Sequence, residues 1–287
     1  MNKLPSLSMI YDHIRPEERM LIDSAKRKGI KLKLHKTDDF FLDATLTSTK
    51  EDFQDVVLQR SISYFCSIHL TALLENRGIE VINSSKIALL CGNKLMTTLI
   101  LSRENVPVPK TFIAFNVKSA LDALLEIGYP AIIKPVIGSW GRLVAPLKDP
   151  ESARAILEDR ENMFPLYQIY YIQEMVKRPP RDIRSFVIGD KVVAAIYRYS
   201  SKDDWRTNTA RGGQVENCKV TSEIENVSLR ATQPFGDGIF GVDMMESSND
   251  ILVSEINYTT EFRNSVPATG VNIPDLILDY ALRRLKN

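Results

Sequence analysis

Asp243 and Glu255 stand on either side of the turn-forming residues Ser248, Asn249 and Asp250 in the stretch GIFGVDMMESSNDILVSEINY. A three-residue loop over those positions pairs two strands so that Asp243 lies directly opposite Glu255. Asn257 then follows two residues on along the same strand face. Three oxygen donors held by a sheet, with no His or Cys among them, suit Mg²⁺, which completes its shell with water and substrate phosphates. The same residues also fit a second reading, an exposed strand face carrying charges as such faces do. One residue more or less in the loop would turn Asp243 to the other side.

Lys134 poses a similar choice. It sits in the run AIIKPV, which reads as an inner strand. A lysine there must snorkel out or meet an anion, because an unpaired buried ammonium is costly. The turn that follows, Gly138-Ser139-Trp140-Gly141-Arg142, offers glycines, a hydroxyl, backbone N–H groups and a guanidinium, parts able to wrap a phosphate chain. Most Gly-x-x-Gly turns are only turns. Lys94, in CGNKLMT near a helix start, reads from its own neighbours as an exposed helix lysine. The segment TNTARGGQVEN is polar and turn-rich, either a surface loop or a source of amides and Arg211 for a carboxylate or phosphate.

Other chemistries find no residues to carry them. The chain has no GxxxxGK[ST] loop and no GxGxxG. His13, His35 and His69 are not at metal-ligand spacing, and Ser139 is not in a GxSxG setting. Cys66, Cys91 and Cys218 form no CxxC pair, which disfavours a disulfide framework and a thiolate zinc site and fits a reducing cytoplasm. The basic KRPPR reads as a solvated turn. Lys+Arg 37 against Asp+Glu 36 leaves a net charge of +1, so neither nucleic acid nor an anionic membrane is expected as a partner. No apolar run approaches the roughly 20 residues needed to span a bilayer, and MNKLPSLSMIYDH lacks a signal-peptide core, so we expect a cytoplasmic protein.

The elements that must position these residues follow from periodicity and punctuation. LSMIYD, IKLKLHK, DVVLQR and IEVIN read as strands alternating with helices over RPEERMLIDSAKRKG and YFCSIHLTALLENRG, a parallel doubly wound α/β unit. SSKIALLCGNKLMTTLILSR reads as one helix closed by a proline-rich connector. TFIAF, SALDALLEIGYP and AIIKPV follow as strand, helix and strand, then a helix over ESARAILEDRE and the strand YYIQEMV. After KRPPR the chain becomes β-rich, with a hairpin turning at Gly189-Asp190, a helix through SEIENVSLRATQPF, the acidic hairpin and a final helix, IPDLILDYALRRL. We expect three units, over residues 1–92, 93–178 and 179–287.

Lys94, the KP of Lys134, the glycine turn, YIQEMV, RDIRSFV, AAIYR, TNTARGGQVENC and EINYTTEFRNSVPATGVNIP together resemble an ATP-grasp carboxylate–amine ligase of the LysX group, relatives of the RimK glutamate ligases. The likeness covers essentially the whole chain. It implies an ATP-grasp fold of class α/β, in which 1–92 is a pre-ATP-grasp domain, 93–178 the central ATP-grasp subdomain with a glycine-rich lid, and 179–287 the C-terminal subdomain with the metal site. It further implies ATP and Mg²⁺ as cofactors. Lys94 and Lys134 would contact the ATP phosphates, and Gly138, Ser139, Trp140, Gly141 and Arg142 would close over them. Glu174, Met175 and Val176 would line the adenine cleft. Arg198 and Asn208 would reach the phosphates or an acyl-phosphate, and Asp243, Glu255 and Asn257 would ligate Mg²⁺.

The resemblance also implies the substrates. Ligases of the LysX group activate the side-chain carboxylate of the C-terminal glutamate of a small acidic carrier protein, LysW, and join it to the amine of L-2-aminoadipate in lysine biosynthesis. A sister enzyme takes glutamate for arginine synthesis and carries Gly-Phe where this chain has Asn264-Ser265, which favours aminoadipate. Arg184 and Arg263 are candidates for substrate carboxylates, or else surface ion pairs. Relatives of this kind commonly form homo-oligomers. The alternatives are a glutamate–LysW or bifunctional ligase, a RimK-like protein glutamate ligase, and a non-catalytic nucleotide-binding module.

Overall fold

Four short aliphatic runs build the first sheet: β1 (Ser6–Tyr11), β2 (Lys31–Lys36), β3 (Val56–Gln59) and β4 (Glu80–Ile82). They pair in parallel in the order β2-β1-β3-β4, with α1 (Pro16–Arg27) and α2 (Tyr64–Glu75) as crossovers. Side chains alternate across the strands. Leu7, Met9, Val56 and Leu58 pack with Leu21 and Ala25 of α1 and with Ile277 and Leu278 of the C-terminal helix Ile273–Arg283. Ile10 and Val57 point the other way, onto Leu70 and Leu74 of α2. Both faces are therefore covered, as a doubly wound parallel sheet requires. The computed structural model describes residues 5–46, 52–200, 207 and 214–285.

The stretch expected to be one helix is two, α3 (Ser85–Cys91) and α4 (Lys94–Arg103). Asn93 caps α4, its side-chain oxygen accepting from the N–H groups of Leu95 and Met96 at 3.0 and 3.3 Å. The ring of Tyr64 crowds the break so closely that a Cβ on Gly92 would lie 2.1 Å from Tyr64 Cε2. The break makes Lys94 the first helical residue, and its N–H donates to Val136 O at 2.8 Å. Helical periodicity continues across the two residues of the break, so pattern alone does not reveal it.

The second sheet is antiparallel, in the order β5-β8-β6-β7, from β5 (Thr111–Ala114), β6 (Ala131–Lys134), β7 (Ala145–Leu147) and β8 (Tyr170–Glu174). Sequence reading missed β7, whose three residues are too few to show a period. One face packs on α5 (Val117–Ile127) and α6 (Pro150–Glu161) through Ala131, Ile133, Tyr170 and Ile172. By the period of two, Ile132, Lys134, Tyr171 and Gln173 occupy the opposite face.

The third sheet, antiparallel in the order β11-β10-β9-β12-β13, comprises β9 (Arg181–Ile188), β10 (Lys191–Tyr199), β11 (Val215–Asn217), β12 (Ile239–Glu246) and β13 (Ile251–Asn257). Gly189 takes a φ of +62° at the first position of the β9–β10 turn, as expected of a two-residue hairpin loop. β11 falls at the end of a segment read as polar loop. Ile183, Val187, Val242 and Ile256 cover one face with α7 (Ser222–Thr232). On the other face, Phe186, Ile188, Ala194 and Ile196 join the core of the first sheet, together with Phe262.

The acidic hairpin reaches the expected pairing by an unexpected route. Its loop spans four residues, Ser247–Asp250, closed by the Ser247 N–H donating to Asp250 O at 2.9 Å. That alone would slip the register by one, since Met244 pairs with Val253. A bulge at Ser254 absorbs the slip, and Asp243 again faces Glu255.

Gly92→Ala should destabilise the protein by about 1–3 kcal/mol, because the added methyl must displace the Tyr64 ring or Ala88 O. Urea unfolding of the variant beside the native chain measures it.

Candidate active site

The second and third sheets face each other across a cavity of about 400 Å³, closed on a third side by residues of the first unit. Strand alternation puts its polar lining in place. Along β9 the even positions run from Asp182 and Arg184 at the cavity to Phe186 and Ile188 in the shared core. Along β12 and β13, Asp243, Glu255 and Asn257 face the cavity while Val242, Met244 and Ile256 face α7.

Lys94 is buried rather than exposed, at 9% of its surface. Its Nζ donates to Gly138 O at 2.8 Å and to Glu255 Oε1 at 3.1 Å, linking α4, the glycine turn and the acidic hairpin. Lys134 extends from the cavity face of β6 and donates to Gln173 Oε1 at 2.6 Å. Burial lowers its pKa to about 8; Lys94 and Arg178 act in the same direction, and Glu255 and Asp243 oppose them.

Asp243 is the most constrained acid. Arg184 grips both its oxygens at 2.6 and 2.7 Å, and Arg198 Nη2 lies 3.1 Å from Oδ2. Burial would raise its carboxyl pKa, but the two guanidinium groups outweigh burial and bring it to about 2. Arg198 also forks onto Asp182 at 2.7 and 2.8 Å, and Thr207 donates to the same carboxylate. Burial disfavours the Arg198 charge, yet Asp182 and Asp243 together hold its pKa above the ordinary arginine value.

The glycine turn lines the cavity through all five of its residues, Gly138 to Arg142. Trp140 and Gly141 both have positive φ, +56° and +65°. The Trp140 indole N–H donates to Glu261 Oε1 at 3.1 Å, and the Arg142 guanidinium stacks 4.8 Å from the Trp140 ring. Glu261 also lies 3.5 Å from Arg15 Nη1 of the first unit.

Most of the residues singled out in the sequence thus meet around one cavity: Lys94, Lys134 and the turn 138–142, Met175 and Val176, Arg184 and Arg198, and the three hairpin donors. Glu174 does not line it. It falls on the helix-facing side of β8, opposite Gln173 in the alternation, and its carboxylate accepts from the Lys110 N–H at 2.8 Å. Arg263, Asn264 and Ser265 lie outside the main cavity, around a small hollow of about 10 Å³ that Arg184, Arg198 and Glu261 also border. Asn208 lies outside the described residues.

Several lining residues escaped sequence reading. Arg178 belongs to KRPPR, read as a solvated turn, but its side chain turns into the cavity and donates to Pro179 O at 3.2 Å and to Arg181 O. Burial lowers its pKa. Arg15, Gln173, Asp182 and Glu261 also line the cavity. For Asp182 a signal existed, since it shares a strand face with Arg184. Arg15 and Glu261 come from loops, where no period applies.

Residues 91–281 match the RimK-like ATP-grasp domain family, and residues 7–90 match the LysX pre-ATP-grasp domain. The chain belongs to the RimK-like ATP-grasp family. It is 37% identical over 274 residues to the alpha-aminoadipate–LysW ligase LysX of Saccharolobus solfataricus, covering 95% of this chain and 99% of that protein. It is 35% identical over 228 residues to the glutamate–LysW ligase ArgX of Sulfolobus acidocaldarius, covering 79% of this chain and 81% of that one. The crystal structure of a RimK domain ATP-grasp protein from Sphaerobacter thermophilus superposes with a TM-score of 0.78 at 22% identity, over 96% of this chain and 99% of that one. The chain is accordingly an ATP-grasp ligase with an N-terminal pre-ATP-grasp domain. No helix among the described residues is long and apolar enough to cross a membrane.

The charge at this ATP-grasp site suits a polyanion. Lys94, Lys134, Arg142 and Arg178 line the cavity with Arg15, Arg184 and Arg198, against the four carboxylates Asp182, Asp243, Glu255 and Glu261. Positive charge therefore concentrates in the cleft although the whole chain is nearly neutral. Among the described residues no three of His, Cys, Asp or Glu form a metal cage. The hairpin supplies two carboxylates and an amide instead, a set that fits a hard cation drawing its other ligands from water and phosphate. Such an ion would share Asp243 with Arg184 and Glu255 with Lys94.

Asp243→Asn should cost about 2–3 kcal/mol at neutral pH, ~1.4 kcal/mol for each unit by which Arg184 and Arg198 hold the carboxyl pKa down. The carboxyl pKa falls from its ordinary 3.8 to about 2 on folding, so its contribution is full above about pH 4 and disappears as pH drops through about 2. Unfolding curves of the native and variant proteins should converge across that window.

Proposed function

We propose that this ligase joins the amine of L-2-aminoadipate to the side-chain carboxylate of the C-terminal glutamate of a LysW-type carrier protein, using ATP. The observation that carries the reading is the nearly full-length likeness to an alpha-aminoadipate–LysW ligase. The matched length is shorter for the glutamate–LysW ligase, and Asn264-Ser265 beside the Arg184 hollow fits the same preference.

In this mechanism a carboxylate oxygen of the carrier attacks the γ-phosphorus of ATP, and ADP leaves. The amine then attacks the acyl carbon of the resulting acyl-phosphate, phosphate departs, and the amine loses a proton. Neither step needs an enzyme nucleophile, so the protein's work is placement and charge balance. Lys94 and Lys134 meet the phosphates from below, and the turn 138–142 meets them from above. Met175 and Val176 flank the base. Arg178, at the edge of the same cleft, adds positive charge. Arg198 stands ready for the transferred phosphoryl group, while its fork on Asp182 fixes its plane. Asp243, Glu255 and Asn257 would hold Mg²⁺, which supplies further neutralisation of phosphate charge when bound. The closed turn keeps water from the mixed anhydride, with Trp140 seated on Glu261. Arg184 and Arg263 border the place for the amino acid's carboxylates.

Incubation with ATP, Mg²⁺, purified carrier and L-2-aminoadipate should add one aminoadipyl residue to the carrier by mass spectrometry. L-glutamate in competition should add much less. Glutamate addition as the main product would move the enzyme to the sister reaction. Glu255→Gln, which leaves the Arg184–Asp243 pair intact, should lower carrier-dependent ADP release at least on the order of a hundredfold; unchanged turnover would remove the hairpin from the site.

The lowered pKa of Lys134 gives a second test. Its charge is present below about pH 8 and is lost above it, so ATP affinity in the native protein should weaken as pH rises through that value. Lys134→Arg stays charged throughout and should flatten the dependence, measured by calorimetric titration from pH 7 to 9.

A further inference from the structure

We propose that Gln173 is a positioning residue for Lys134, the middle member of a buried hydrogen-bonded strut that sets the two cavity lysines at a fixed separation. The proposal rests on reading Lys94 and Lys134 as phosphate ligands. Its geometry is independent of that reading.

The direction of each bond around the Gln173 amide is determined. The Thr111 hydroxyl donates its one hydrogen to Pro109 O at 2.8 Å, and a carbonyl can only accept. Thr111 Oγ1 must therefore accept from its other neighbour, Gln173 Nε2, at 3.0 Å. The second hydrogen on Nε2 goes to the Tyr171 hydroxyl at 3.1 Å. With both amide hydrogens used, Gln173 can present only its carbonyl oxygen to Lys134, 2.6 Å away. The flipped amide would set N–H donors against an ammonium. Gln173 is 1% exposed and Tyr171 1% exposed, so water does not compete at either. Burial pushes the Tyr171 phenol up, which keeps its proton in place.

The strut continues onto another element. The Tyr171 hydroxyl, which accepts from Gln173, also shares a hydrogen bond with Thr98 Oγ1 at 2.8 Å. Thr98 lies on α4 one turn beyond Lys94, on the same helical face. Lys134 on β6, Gln173 and Tyr171 on β8, and Thr98 on α4 thus link the strand bearing one lysine to the helix bearing the other.

A neutral acceptor suits this place. The charged groups acting on the Lys134 ammonium are Lys94 and Arg178, which repel it, and Glu255 and Asp243, which attract it from across the cavity. A carboxylate at position 173 would hold the ammonium but cancel the charge a phosphate needs. A glutamine oxygen holds it and leaves that charge uncompensated. An aliphatic side chain would do neither.

The test separates holding from charging. In nucleotide-free protein, ¹⁵N relaxation of the Lys134 ammonium should give a high order parameter in the native chain and a clearly lower one in Gln173→Met. ATP should bind Gln173→Met on the order of tenfold more weakly, the loss expected for one hydrogen bond to a charged group. Gln173→Glu should keep Lys134 ordered and still bind ATP more weakly. Tyr171→Phe, which frees one amide hydrogen, should loosen Lys134 to a smaller degree and serves if Gln173→Met does not fold. An unchanged order parameter in the variant that folds overturns the proposal, as does native ATP affinity in Gln173→Glu. Lys134→Met distinguishes the two levels: if it binds ATP as the native protein does, the phosphate-ligand reading fails, and the order parameter still decides the role of Gln173.

Discussion

A charge that is 93% withdrawn from water sits near the middle of the third sheet, and the site is arranged around its balance. Asp243 is 7% exposed, a position where an uncompensated carboxylate would cost several kcal/mol. Arg184 on the adjacent strand and Arg198 two strands away supply the balance, and Asp182 in turn holds Arg198. Arg184 and Arg198 each stand two residues from an apolar strand position, Phe186 and Ile196, so one alternation fills the shared core and sets these charges at the cavity. Arg198 is held on both sides, by Asp182 and Asp243, and Arg184 by its fork onto Asp243. Their planes are fixed before any substrate arrives, as electrostatic catalysis requires.

The same balance bears on the metal. The hairpin donors are not idle carboxylates awaiting an ion. Glu255 already meets Lys94, and Asp243 already meets two arginines. A divalent ion bound here would share these carboxylates with Lys94, Arg184 and Arg198.

The strands and helices around the cavity were legible where a period runs long enough to declare itself. The parallel α/β unit and the Gly189-Asp190 turn follow from alternation and turn chemistry, whereas the pairing of Asp243 with Glu255 was reached from a loop one residue too short. The break at Gly92-Asn93 did not show, because apolar residues continue in helical phase on both sides of it. Nor did the bulge at Ser254, since a four-residue loop and a bulge cancel to give the register that a three-residue loop would have given. Lys134 in its apolar run could be picked out as anomalous, and the cavity face of β6 explains it. Lys94 looked ordinary, because its burial arises only when the glycine turn and the hairpin close over it. Glu174 shows the reverse failure: one step along a strand sends a side chain to the wrong face. Arg15, Arg178 and Glu261 reach the cavity from irregular segments, and only tertiary packing places them.

The distribution of the apolar cores has a mechanical consequence. The first and third sheets share one core, in which Leu7, Met9 and Leu58 meet Phe186, Ile196 and Phe262. The second sheet has its own, formed entirely from residues between Ala114 and Ile172. Separating the first unit from the third would expose that shared apolar interior to water. Leu101 and Val106, at the end of α4 and just beyond it, pack in the core that the third sheet forms with α7, so α4 is tied to the third sheet as the first unit is. The strands β5 to β8 with α5 and α6 are thus the part of the molecule whose interior is wholly its own, and that self-contained part carries Lys134 and the glycine turn.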